Sequence, residues 1–285
     1  MNSYSDFIAA LSRTLRDAQS LPLGGFPVPA RPVPDAHAPK ALIFSPHPDD
    51  EVIIGGLPLR LMRELGWNVI NVAVTQGSNK ARQPERWKEL EACCAHVGFG
   101  LLATREGGLE CINPKSRAEK PAEWARSVDC IASILREQQP AAIFFPHDDD
   151  WNVTHIGTHH LVTDALNTLG ADFSCLAVET EFWGAMDTPN LMVESSEQDL
   201  VDLITALTSH VGEVKRNPYH LSMPAWLMDN VRRGSELVGG QGGATPDFLF
   251  ATLYRLRRWQ AGAMQSVLER GTFVAACDDL RKWFA

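Results

Sequence analysis

Residues 41–56, ALIFSPHPDDEVIIGG, decide how the chain is read. Ala41 to Ser45 is a short apolar run with β-branched and aromatic members, the pattern of a buried strand. It stops at Pro46. His47, Asp49, Asp50 and Glu51 follow within five positions, and Val52, Ile53 and Ile54 then open a packed helix that runs on to Leu65, bent at Pro58. A strand that empties into a carboxylate-rich loop and then a helix puts those side chains at the carboxyl edge of a sheet. Open α/β sheets build their sites there.

The donor set is specific. Imidazole is a borderline nitrogen ligand and carboxylate a hard oxygen ligand, so His47 with one aspartate and a further histidine suits zinc with an open position. Asp49 and Asp50 are adjacent and point in different directions, so only one readily shares a metal with His47. The other is free to take a proton from a water that the metal acidifies. Asp-Asp-Glu is also a good helix start, satisfying orphan amides and the dipole. That accounts for the carboxylates, but not for a proline-flanked histidine aimed out of a buried strand, and the metal reading is preferred.

The same grammar recurs. Ala141 to Phe145 is a second clear buried strand, and it too ends in a proline and a polar burst, PHDDDWNVTH, over 146–155. If the two strands are parallel members of one sheet, His47 and Asp50 converge with a histidine from the second loop. His155, which opens the following helix (about Ile156 to Leu169), is the favoured third ligand, with His147 second. Three protein ligands and an open position describe catalytic zinc rather than structural zinc. His159 lies one helical turn beyond His155, on the same face, where it would line the site or donate to a ligand.

Around these bursts, strands and helices alternate. Trp67 to Val74 reads as a strand, Pro84 to Val97 as a helix ended by Gly98, Gly100 to Ala103 as a short strand, and Pro121 to Gln138 as an amphipathic helix. The alternation predicts an α/β fold: a Rossmann-like, doubly wound, mostly parallel sheet with helices on both faces, in three layers. Further on, Cys175 to Trp183 reads as a strand, Glu197 to Val214 as a helix carrying His210, Trp226 to Leu237 as another, and Phe248 to Leu256 as a late strand. Ser5 to Ala18 has Phe7, Ile8, Leu11 and Leu15 at helical spacing. Leu21 to Lys40 holds six prolines, an extended connector lying on its own chain or on a neighbouring subunit of a homo-oligomer. The expected organisation is an N-terminal helix and Pro-rich arm over 1–40 and a single domain over 41–285.

Composition narrows the function. The 285 residues are 45% apolar, enough for a full core, and carry a net charge of −9 with no dense basic run. Nucleic acid and anionic membrane are therefore poor partners, and no apolar run reaches the length of a membrane span. The six cysteines, at 93, 94, 111, 130, 175 and 277, form no CxxC pair, which argues against thiolate zinc and for reduced thiols in a cytoplasmic protein.

With these motifs in place, the chain resembles the PIG-L/LmbE-like zinc-dependent N-deacetylases. The resemblance rests first on Pro-His-Pro-Asp-Asp-Glu followed by Gly-Gly, then on Thr75-x-Gly77 with Arg86 and Glu89, and on His155 followed by Gly157 and Ala165. Weaker matches are Glu181, His210 and the DFLFATLYRL segment. It implies Zn2+ held by His47, Asp50 and His155, Asp49 as general base, and Arg86 binding substrate hydroxyl or phosphate groups, with Asp150 as a second substrate-binding residue. The substrate implied is a small N-acylated molecule, sugar-like in character. Many relatives carry a histidine where this chain has Asn152, a residue that can stabilise an oxyanion but cannot supply a proton. The acid releasing the amine is then Asp49 itself, His159 or Asp150. A zinc-dependent amidase or hydratase acting on a non-sugar substrate is the alternative, kept open by this altered loop.

Overall fold

The computed structural model describes residues 2–31 and 35–284; the end of the proline stretch, 32–34, lies outside the described residues. In chain order the helices are α1 (Ser3–Ala18), α2 (Asp50–Ile53), α3 (Leu57–Leu65), α4 (Gln83–Val97), α5 (Pro114–Glu119), α6 (Pro121–Gln138), α7 (Val153–Asn167), α8 (Glu197–Leu207), α9 (Val211–Arg216), α10 (Tyr219–Leu237) and α11 (Arg281–Phe284). The strands are β1 (Lys40–Ser45), β2 (Asn68–Ala73), β3 (Gly100–Ala103), β4 (Ala142–Pro146), β5 (Cys175–Thr180), β6 (Leu191–Glu194), β7 (Ala251–Gln260), β8 (Ala263–Ser266) and β9 (Thr272–Val274).

The strands form one mixed sheet in the order β3-β2-β1-β4-β5-β7-β6-β9, with β8 hairpinned onto β7. Strands β1 to β5 pair in parallel, whereas β7 runs antiparallel to both β5 and β6. Because chain order reverses between β1 and β4, these two lie side by side, with Ala41 opposite Ala142 and Ile43 opposite Phe144. The two polar bursts therefore leave neighbouring strands at the same edge, at the switch point of the sheet.

Strand alternation feeds two cores. Ala41 and Ile43 of β1 pack with Leu57 and Leu61 of α3, Leu90 of α4 and Leu203 of α8. Leu42 faces the other way, toward Ile131 and Leu135 of α6 and Leu161 and Val162 of α7. Strands buried on both faces read as continuous apolar runs, which is why β1 and β4 were plain in the sequence. The α/β architecture with helices on both faces is as expected.

Three local expectations are corrected. The helix expected from Glu51 to Leu65 is two, broken where Gly55 takes a φ of +84°, and a Cβ there would meet Thr252 Oγ1 at 1.9 Å. Pro58 then falls in the first turn of α3, where its missing N–H removes no helical bond, so it bends nothing. The helix expected from Glu197 to Val214 divides at His210 into α8 and α9. Strands β6, β8 and β9 were not anticipated, being three or four residues long.

Helix α1 forms as its spacing requires and is capped by Asn2, but none of its residues is buried. The arm behind it lies on its own chain. Gly24 N–H donates to Thr208 Oγ1 at 3.2 Å, and the Arg31 guanidinium donates to the His96 carbonyl at 2.6 Å. Among the described residues no helix is long and apolar enough to cross a membrane, and all six cysteines are free.

Candidate metal centre

His47, Asp50 and His155 meet. His47 Nδ1 lies 3.2 Å from His155 Nε2, and Asp50 Oδ2 lies 3.4 Å from the first and 3.3 Å from the second. These three spacings match the edge of a tetrahedron of ligands set about 2.0–2.1 Å from a zinc-sized ion. Asp50 Oδ1 is buried without a hydrogen-bond partner, and two imidazole nitrogens face one carboxylate oxygen inside the protein. Such a donor set fits a divalent cation with N/O preference, and it explains why these groups are crowded together. Burial works against the Asp50 charge, but His155 and His47 beside it hold its carboxyl well below the usual range. His155, which burial would depress, is lifted to about 10 by Asp50 and Asp150 on either side.

The loop that presents these ligands is held under strain. Asp49 adopts φ +115°, a region costly for a residue with a Cβ. Three contacts keep it there. Its N–H donates to Glu51 Oε2 at 2.9 Å, the His47 N–H donates to Asp50 Oδ2 at 2.9 Å, and Arg86 donates to the Pro48 carbonyl at 2.9 Å. Glu51 is itself fully buried and paired with His210 at 2.7 Å; burial opposes a charge on His210, and Glu51 raises its pKa. Cys93 lies beside this pair, and burial keeps its thiol protonated.

Asp49 is not part of the ligand triad but lines the same cleft, and Tyr219, the first residue of α10, donates its hydroxyl to Asp49 Oδ2 at 2.5 Å. Burial first, and the neighbouring Asp50 charge second, push the Asp49 carboxyl up to about 7. Tyr219 was not foreseen: it lies 170 residues away from Asp49, in a segment whose sequence carries no motif.

Arg86 stands where Gly77 allows. Gly77 has φ +80°, and a Cβ there would lie 2.1 Å from Arg86 Nη1. The Thr75-x-Gly77 pattern and Arg86 are thus one feature: a side chain laid across a loop that has no room for another. Arg86 also lies 3.9 Å from Glu213, so its task includes bracing the metal loop as well as lining the cleft.

The second burst is sorted by the structure into different tasks from those expected. Asp150 does not line the cleft. It is buried behind His155, with Oδ2 3.6 Å from His155 Nδ1 and accepting the N–H groups of Trp183 and Gly184 at 3.1 Å. Its carboxylate therefore stands within ion-pair distance of the His155 ring, without a hydrogen bond to it, and away from the cleft-lining residues. Asn152 caps α7, accepting the Thr154 N–H at 2.9 Å, and also lines the cleft. His147 is pinned to the Gly184 carbonyl at 2.9 Å and stays out of the triad.

His159 is on the far side. Its Nδ1 lies 3.0 Å from the Pro146 carbonyl and 3.5 Å from Glu179, and its ring packs on Phe145. Burial lowers its pKa, and it is not among the cleft-lining residues. His155 and His159 share a face of α7, but the rise of about 6 Å over four residues carries His159 past the triad to the β4–β5 junction. Glu181, a weaker sequence match, is occupied by Arg233 at 2.7 Å.

The open side of the triad faces a cleft of about 610 Å³ lined by His47, Asp49, Asp50, Arg86, Asn152 and Trp183 among others. That volume suits a small molecule.

A mostly parallel α/β sheet with a His-Asp-His triad at its switch point defines a doubly wound domain with a candidate metal site. Residues 42–166 match the PIG-L family model, described as GlcNAc-PI de-N-acetylase. No curated protein sequence matches the chain. Among solved structures, N,N'-diacetylchitobiose deacetylase from Pyrococcus horikoshii is similar over 90% of this chain and 93% of that one, at 18% identity and a TM-score of 0.55. GalB, the 4-carboxy-2-hydroxymuconate hydratase of Pseudomonas putida KT2440, is similar over 82% and 98%, at 14% identity and a TM-score of 0.57. The zinc-inhibited form of teicoplanin deacetylase Orf2 is similar over 77% and 98%, at 17% identity and a TM-score of 0.51. At such identities the likeness is one of fold.

Proposed function

We propose that this protein is a zinc-dependent hydrolase that removes an N-acyl group, of the acetyl type, from a small amino-sugar-like substrate. The observation that carries this reading is the pairing of a three-ligand triad with a second, separately held carboxylate, Asp49, at the mouth of the cleft. The PIG-L match and the deacetylases among the structural neighbours support it. His47, Asp50 and His155 would hold Zn2+, which when bound supplies a Lewis acid for the amide carbonyl and lowers the pKa of water.

The chain's own residues do the rest. Asp49 takes a proton from the attacking water as its oxygen adds to the acyl carbon. The Asn152 amide, whose oxygen is spent on the α7 cap, keeps its N–H groups for the developing negative charge on the acyl oxygen. Asp150 holds the His155 ring in place, and Arg86 keeps the Pro48 carbonyl, and with it the loop, in register. Breaking the C–N bond requires a proton on the amine. Asn152 has none to give and His159 faces elsewhere, which leaves Asp49 to return the one it took.

The test is direct. The purified protein, loaded with zinc, is offered N-acetylated amino sugars and the release of acetate is measured. A hydratase reading draws on the same altered loop, and loss of a conjugated chromophore from an unsaturated acid, with no acetate released from any amide, would replace the deacylase reading by that one.

A further inference from the structure

We propose that Tyr219 is a positioning residue for Asp49: its hydroxyl occupies Oδ2 and leaves Oδ1 as the single oxygen that takes and returns the proton. The inference rests on the deacylase reading above and assigns a role to a residue outside the segment matched by the family model.

A carboxylate has two nearly equivalent oxygens, and a proton received on one can be lost from the other. That matters little when a separate acid serves the leaving group. Here the cleft-lining Asn152 has no proton to give, so both transfers fall to one carboxyl, and they succeed only if the proton stays on the oxygen that faces the substrate. Tyr219 meets that need. Its O–H donates to Oδ2 at 2.5 Å, the length of a charge-assisted bond to a carboxylate. Among the described residues Oδ1 receives no hydrogen bond, and Asp49 lines the cleft.

The tyrosine is itself fixed from three sides. It is the first residue of α10, its N–H donates to the Asn217 carbonyl at 2.8 Å, and its ring meets Trp183 edge-on at 5.4 Å. Trp183 in turn donates its N–H to Asp150, the carboxylate behind His155. Base and ligand are thus tied into one frame through Tyr219, Trp183 and Asp150. Burial and the Asp49 charge hold the phenol far above its usual pKa, so it stays a donor throughout and carries no proton of the reaction.

The balance is complete with groups already named. A water O–H bond breaks, its proton goes to Asp49 Oδ1, and the oxygen bonds to the acyl carbon. The C–N bond then breaks with its electron pair on nitrogen, which takes the proton back from Oδ1. Carboxylic acid and amine leave, and Tyr219 ends as it began.

Tyr219→Phe tests this, because it deletes one oxygen and keeps the ring against Trp183. The zinc-loaded full chain of wild type and variant is compared by crystallography, metal content, thermal midpoint and steady-state kinetics on an N-acetylated amino sugar. The expected result is an Asp49 carboxylate turned from its wild-type orientation, kcat lower by about 10²-fold, and KM, metal content and midpoint close to wild type. An unmoved carboxylate with wild-type kcat overturns the proposal. So does a loss of kcat that comes with equal loss of metal or of thermal stability, which marks a structural role only. A wild-type protein that releases no acyl group from any N-acylated amine overturns the reaction and the shuttle together; an active wild type with an equally active variant overturns Tyr219 alone.

Discussion

His47 Nδ1 and His155 Nε2 approach to 3.2 Å although 108 residues separate them, and Asp50 closes the triangle from the first helical turn beside His47. In water, two imidazoles and a carboxylate have no reason to assemble this way. Inside a protein, with Asp50 Oδ1 left unpartnered, the arrangement fits a cation shared by the three groups.

His47→Ala and His155→Ala should each abolish stoichiometric zinc binding, measured by elemental analysis after dialysis. Asp49→Asn should keep the metal and lower kcat by about 10²–10⁴-fold, the usual contribution of a general base. Equal loss of zinc in Asp49→Asn would mean that the two aspartates have exchanged roles.

Metal binding should release a proton. In the metal-free protein Asp50 and Asp150 hold His155 at about 10, so at pH 7 its ring is protonated, whereas a ligand imidazole must offer a free nitrogen. Affinity through this group should then fall about tenfold for each unit of pH below its pKa. Calorimetric titration in two buffers of different ionisation enthalpy reads the proton directly; identical heats would refute it.

Asp150→Asn should weaken zinc binding by about 10–100-fold, because the charge beside the His155 ring is gone while the side-chain shape remains. Competition against a chromophoric chelator measures the change. A variant that binds zinc as wild type and has an altered KM alone would restore Asp150 to a substrate-binding role.

The buried Glu51–His210 pair should matter for stability before it matters for catalysis. His210→Ala leaves a fully buried carboxylate without its partner, a loss of about 3–5 kcal/mol that chemical denaturation can measure. Because Glu51 raises the pKa of His210, the pair's contribution is complete below the unfolded histidine value of about 6.5 and fades as pH rises through the folded-state pKa. The difference between wild type and variant should therefore shrink toward high pH.

Much of this could be read from the chain alone. The runs before Pro46 and Pro146 announced two buried strands, because a strand covered on both faces needs apolar residues without interruption. The polar bursts behind them put forward His47, Asp49, Asp50 and His155, and folding brings the side chains of 47, 50 and 155 within 3.4 Å of one another. Helices α4 and α6 were plain from their spacing and from Gly98, since the chain must satisfy those patterns locally. Short strands such as β6, β8 and β9 hold too few residues for a period to register.

What folding alone decided is direction and company. Asp150 and His159 have the right chemistry for a site and sit within a few residues of a ligand, yet one turns behind His155 and the other toward Glu179. Tyr219 has no motif around it and reaches Asp49 across 170 residues of chain. Sequence fixes which groups a segment carries, because periodicity and capping act over a turn or two. Which of them share a cavity depends on strand order and on the pitch of each helix against the sheet, and those are settled only when the whole core packs.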